Sequence, residues 1–250
     1  MADQEVIKHG QKIIRLAGSK EHTLPHKLRE IAIEFFTIVF AVSLSIWLHG
    51  LSEHHHQQQE VKAFLIGLRT DLKNDIDSIQ ELKNSYSAFN ANFAYLAALD
   101  PKRMPDEKEF EKVVFESDAN HYFRPFTSRY EGFRSSGKMA YIEDQTLLNE
   151  ILELYQMSLP QIRSSEGGWA SRQEKLRAFQ DSMLEDDSLA EHFRLFTSPK
   201  GKRLVKTMIA HESMFKRYDG YAKQAAAIVQ AIEKTYPELK EAPKTVVSKA

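Results

Sequence analysis

Three consecutive imidazoles, His54, His55 and His56, come just after a long apolar run, and His49 stands at that run's end. Imidazole ligates transition metals and titrates near neutral pH, so such a run could hold an ion or sense acidity. Consecutive residues on a helix point about 100° apart, so three adjacent rings cannot face one ion. A site would need His49 or a second chain to complete it, and the simpler reading is a polar collar beside a membrane. Glu34 lies inside the apolar run itself. A carboxylate in hydrocarbon is costly and marks a functional position unless it reaches water. Its place near one end, beside Glu30 and Arg29, favours reaching the headgroups; the sharper reading is a polar contact between neighbouring transmembrane helices.

Other charged groups offer less. Glu185, Asp186 and Asp187 gather carboxylates as calcium requires, but the spacing and glycine of an EF-hand are missing, and a solvated helix start fits better. Arg124, Arg129, Arg134 and Lys138 could collect phosphate or carboxylate, yet a solvent-facing basic edge is the simpler reading. His192, His211 and Glu212 have no evident third partner. The sequence holds no G-x-x-x-x-G-K-[ST], G-x-G-x-x-G, G-x-S-x-G or H-E-x-x-H. No catalytic, cofactor-binding or metal-ligating set is expected, and the chain reads as a non-enzyme.

The element that must position these groups runs from Glu30 to Leu51. Phe35 to Leu48 contains no charged residue. A bilayer crossing needs roughly 20 mostly apolar residues, so the stretch fits one transmembrane helix, retained as a signal anchor. Trp47 and His49 fall where amphipathic rings favour the headgroup level. Before the span stand Lys12, Arg15, Lys20, Lys27 and Arg29; after it, over a similar distance, only Lys62 and Arg69. This bias predicts a cytoplasmic N-terminus and, in a bacterial inner membrane, a periplasmic C-terminal domain.

Composition narrows the rest. With 34 Lys and Arg against 35 Asp and Glu, nothing suggests a nucleic-acid footprint. The absence of cysteine excludes disulfides, thiolate metal sites and cysteine nucleophiles. Only 10 glycines and 8 prolines favour long helices. The fold class predicted is all-α: a transmembrane helix continuing into a long heptad-patterned helix, then an extracytoplasmic helical bundle.

In chain order, residues 1–29 read as a basic, partly amphipathic cytoplasmic segment, 30–51 as the span, 52–100 as a membrane-proximal stalk helix, 101–237 as the bundle and 238–250 as a mobile tail. Over the stalk, Leu65, Leu72, Ile79, Tyr86 and Phe93 take heptad position a, and Val61, Leu68, Asp75, Leu82, Phe89 and Leu96 take d. Only Asp75 breaks this apolar seam. Such a period implies packing along a narrow line. The aromatic residues favour packing on later helices of the same chain; the alternative is self-association through residues 61–79, centred on Leu65, Leu68, Leu72, Ile79 and Leu82. If the seam joined copies, serine at Leu65, Leu68 and Leu72 would dissociate an oligomer and spare the helix. Further helices are predicted over Asp106–Ser117, from a cap at Ser128 to about Ser136, after a cap at Asp144, from Trp169 to about Leu184, over Ser188–Phe196, and from Ser198–Pro199 in one long run to Pro237. Pro160, Gly167 and Gly168 predict a break or kink. Ser135, Ser136 and Gly137 are read as a tight structural turn, with left-handed geometry at the glycine.

Two segments resemble a widespread set of uncharacterised bacterial single-pass membrane proteins. Glu30-Ile31, the apolar run and Trp47 are similar to that family's E-I-(apolar)-W anchor. Tyr130, Phe133, Ser135, Ser136, Gly137, Met139, Ile142, Leu147, Leu148, Ile151 and Tyr155 are similar to its Y-x-x-L-x-S-S-G-x-L-x-x-I segment and the L-x-x-x-I and Y that complete it. Phe133 and Met139 replace leucines, and serines replace the glycine and asparagine usual in the anchor. The resemblance implies an N-terminal anchor and a helical domain, and brings no activity with it.

The function these readings support is a scaffold or accessory subunit of a membrane complex, with lipid, other subunits and copies of itself as partners and no cofactor. The alternative is an anchored sensor or regulator whose helical domain binds a ligand and signals through the span.

Overall fold

The computed structural model describes residues 24–117 and 121–241. Most of the basic segment read over residues 1–29 and most of the polar tail lie outside them. The helices are α1 (Leu24–Ala98), α2 (Glu107–Glu116), α3 (Ser128–Ser135), α4 (Gln145–Glu153), α5 (Leu159–Met183), α6 (Leu189–Thr197), α7 (Pro199–Met208) and α8 (Glu212–Thr235), with a π turn, Leu154–Ser158, between α4 and α5. Short 3-10 turns cover Lys138–Tyr141 and Pro237–Glu241. The described residues contain no strand, and the chain is all-α.

The described residues form two compact units, divided between Glu60 and Val61. The boundary lies within α1, so residues 61–98 belong to the bundle rather than to a separate stalk. In the first unit, α1 carries the one helix among the described residues that is long and apolar enough to cross a membrane. Its large side chains stand open: Phe36 is 71% exposed and Trp47 63%.

In the second unit, the heptad seam is the core. Leu65, Leu68, Leu72, Ile79 and Leu82 are all buried, as are Tyr86, Phe89, Phe93 and Leu96. Each buried leucine contributes about 1.5–3 kcal/mol by leaving water. The aromatic half of the seam packs on α5 and α8. Tyr86 meets Trp169 edge-on at 5.4 Å, Phe89 lies against Trp169 at 5.9 Å, and Tyr86 stacks with Tyr218 at 6.1 Å. Residues 61–79 therefore have no free apolar seam for a second copy, and intramolecular packing is the use this pattern serves.

Caps and breaks obey local chemistry in part. Asp106 and Asp144 accept from the backbone N–H groups of Glu109 and Leu147, each at 3.0 Å, satisfying first-turn donors of α2 and α4. At α3 the cap position is Thr127 and Ser128 is the first helical residue, one place from expectation. Gly137 is left-handed, with φ of 75°. The expected break near Pro160, Gly167 and Gly168 does not occur. Proline removes an N–H and crowds the carbonyl four residues earlier, and the π turn over 154–158 widens the helix there. The chain then stays helical through both glycines.

The run from Pro199 is broken where its pattern predicts continuous helix. Ile209 turns extended and His211 caps α8. Tertiary bonds hold this break open. Asn90 donates to the Ala210 carbonyl at 3.3 Å and accepts from the Ala210 N–H at 2.6 Å, while Trp169 Nε1 donates to the Met208 carbonyl at 2.9 Å. The groups a helix would have paired are thus satisfied by side chains from α1 and α5.

Between α6 and α7, Ser198 ends one helix and caps the next. It accepts from the Gly201 N–H at 3.0 Å. A Cβ on Gly201 would stand 2.0 Å from the Leu195 carbonyl oxygen. Gly201→Ala is expected to force α6 and α7 apart and to cost about 1–3 kcal/mol, as overpacking does; a shift in the chemical-denaturation midpoint of the full chain measures it.

Candidate functional site

The bundle's polar interior centres on two carboxylates. Asp75, the residue that interrupts the seam, is fully buried, and Glu166 is 4% exposed. Asp75 comes from α1. Its Oδ1 accepts from the Phe126 N–H at 2.9 Å and its Oδ2 from the Tyr221 hydroxyl at 2.8 Å. Glu166 comes from α5. Its Oε1 accepts from the Phe123 N–H at 2.8 Å and from the Tyr218 hydroxyl at 2.7 Å. Tyr86 adds a third tether, donating to the His121 carbonyl at 2.9 Å. Residues 121–127 have no regular structure, so their backbone groups need partners from elsewhere. The carboxylates and tyrosines supply them, and α1, α5 and α8 thereby clamp one extended segment.

Burial pushes the Asp75 and Glu166 carboxyls above their ordinary values of 3.8 and 4.5, against the pull of their N–H and hydroxyl donors. A raised pKa means the folded state favours the protonated form. Its contribution to stability is full below pH 3.8 and 4.5 respectively, and is lost as pH rises through the higher folded-state values. Glu233 behaves oppositely: Lys73 and then Arg69 hold it below the usual 4.5. Its contribution is present above that value and is lost as pH falls through the lowered one. Stability is therefore lost upward from 3.8 for Asp75 and from 4.5 for Glu166, and downward from 4.5 for Glu233. Replacing Asp75 with Asn and Glu166 with Gln is expected to flatten the fall in Tm as pH rises past these ordinary values and to leave the loss from Glu233 on acidification in place. A Tm-against-pH series on both chains checks it.

The clamp is not legible as a site in the sequence. Asp75 shows there only as a gap in the heptad, and Tyr218 and Tyr221 read as apolar. One signal is present: Ile162, Glu166, Trp169 and Gln173 share a face at helical spacing, with Glu166 and Gln173 among buried neighbours. With Asp75 accepting on both carboxyl oxygens and Glu166 accepting two bonds on Oε1, the arrangement orders the backbone at Phe123 and Phe126.

The basic positions are partly engaged within the chain. Arg129 donates to Asp71 at 2.8 Å across Gly67, where a Cβ would strike the guanidinium, and Arg134 pairs with Glu131 at 3.4 Å. Ser135 and Ser136 donate to the carbonyls of Gly132 and Phe133 at 3.1 and 2.9 Å, closing α3 before Gly137. In the acidic loop, Asp186 accepts from the Ser188 N–H at 2.9 Å, a local turn. A groove of about 640 Å³ lies between α2, α5 and α6, bordered by Phe115, Arg177, Asp181 and His192. Phe115 is 84% exposed.

In the first unit, Trp47 and His49 are exposed and Glu34 is buried. Along the polar stretch His56 approaches Glu60 at 3.6 Å, Gln57 donates to Glu53 at 3.1 Å and Gln59 contacts His55 at 2.8 Å. Among the described residues no three His, Asp or Glu side chains of one chain are placed to hold a metal ion. No protein-family model, curated protein or solved structure matches this chain.

Proposed function

We propose that the protein is a single-pass, non-enzymatic membrane protein whose helical bundle serves as a scaffold or accessory subunit of a membrane complex. The observation that carries this reading is the open apolar surface of α1 between Ile33 and Leu51, where Phe35, Phe36, Phe40, Ile46 and Trp47 are all exposed. Water would oppose that surface by about 25 cal/mol for each Å², whereas hydrocarbon accepts it without cost. The flanking cations support a cytoplasmic N-terminus and a periplasmic bundle, in a bacterial inner membrane. The resemblance to anchored single-pass proteins supports the same assignment. The bundle's buried polar groups order its own backbone, which suits a rigid body that presents surface to partners.

Because the chain has no cysteine, Glu111→Cys gives one exposed thiol. A membrane-impermeant maleimide is expected to label it in intact spheroplasts. Labelling only after lysis would reverse the orientation. The accessory role is tested by the mass of the untagged protein extracted in mild detergent: an assembly larger than one chain is expected, and a lone monomer with nothing co-purifying overturns it.

A further inference from the structure

The polar stretch beyond the apolar run places imidazoles and carboxylates on one helix face. His49, Glu53, His56 and Glu60 are separated by four, three and four residues, which keeps them within about 60° of one another around the helix. His54 and His55 point to other faces. Of the four, His56 and Glu60 already converge, with Nε2 and Oε1 3.6 Å apart. The His56 side chain is 66% exposed and that of Glu60 28%. Glu53 is engaged by Gln57. An imidazole and a carboxylate at i and i+4 are two ligands of the kind zinc-class ions take, but such ions take four in a tetrahedron.

A second copy supplies the missing pair. This step rests on the membrane-anchored reading. Lipid sets the depth of the apolar run, and all copies insert in one direction, so two neighbouring α1 helices are parallel and level. Where two such helices meet on the His56 face, like residues stand across a two-fold axis along the membrane normal. His56 and Glu60 of one chain come opposite His56 and Glu60 of the other. We infer that this pair of pairs binds one zinc-class divalent ion between two copies of the chain, through two imidazoles and two carboxylates. The bundle seam, buried within each chain, takes no part.

The test uses untagged full-length protein in nanodiscs loaded with one or two copies, and Co(II) as the probe. Membrane fractionation is measured first. The expected result is a tetrahedral Co(II) absorption band in two-copy discs, saturating at one ion per two chains, displaced by Zn(II) and missing from one-copy discs. His56→Gln is expected to abolish the band, and the double variant His54→Gln, His55→Gln to keep it. No band in two-copy discs, an equal band in one-copy discs, or loss of the band in the double variant each overturns the site. Protein that fractionates with membranes yet binds no Co(II) overturns the metal site alone. Protein that stays dispersed without detergent overturns the anchor.

Discussion

Serine in place of Leu65, Leu68 and Leu72 together is expected to unfold residues 61–241 rather than to separate copies of an intact helix. All three side chains are buried, Leu68 and Leu72 completely. Truncating one buried leucine to a small residue costs about 2–5 kcal/mol, and the serine hydroxyls add unsatisfied polar groups in the core. Three such losses sum to about 6–15 kcal/mol, the whole stability of an ordinary domain at about 5–15 kcal/mol. The signature is loss of the cooperative thermal transition in far-ultraviolet circular dichroism, with rapid proteolysis inside residues 61–241. A variant that keeps its transition and changes only its sedimentation would show that the seam joins copies. The expected result rests on burial: the seam that a dimer would have used is already covered within one chain.

The second large effect concerns the apolar run. Arginine at Phe40 and Ser43 is expected to move the protein out of the alkali-resistant membrane fraction. Both positions lie in the middle of the stretch and are exposed. An arginine at the centre of a spanning helix costs about 2.5–3.5 kcal/mol on insertion scales, so the pair opposes insertion by about 5–7 kcal/mol. The same pair at Gln57 and Gln59, beyond the apolar run, is expected to leave fractionation unchanged. Equal extraction of all three chains would show that lipid is not the solvent of this helix. The bundle, packed separately from Val61 onward, should keep its thermal transition in either variant.

These two experiments separate what local patterning and long-range packing each contribute. The helices α2, α4 and α6 are legible in the sequence because their determinants are short-range: Asp106, Asp144 and Ser188 each accept from a backbone N–H three residues on. Gly137 is legible because a left-handed residue in a small-residue turn favours glycine. The break between α7 and α8 is not, because the residues that hold it, Asn90 and Trp169, lie 120 and 39 positions away from their partners. A helix-forming run gives no local sign that its carbonyls are taken by a distant side chain. Continuity through Gly167 and Gly168 is likewise hidden, since it depends on tertiary packing of Glu166 and Trp169 overriding weak propensity.

What the sequence determined by itself was the kind of solvent each stretch prefers and the period at which it packs: an uncharged run suited to lipid, then a heptad seam, then short capped helices. Those are properties of neighbouring residues, read within a few turns. What only the tertiary structure decided was which surface covers the seam, and why an acid sits in it. Asp75 is a fault in the heptad until Tyr221, 146 positions on, and the Phe126 N–H are brought to its two oxygens. The reason is physical: a buried charge or dipole is tolerable only with its partners in place, and those partners are chosen by the fold rather than by the residues beside it.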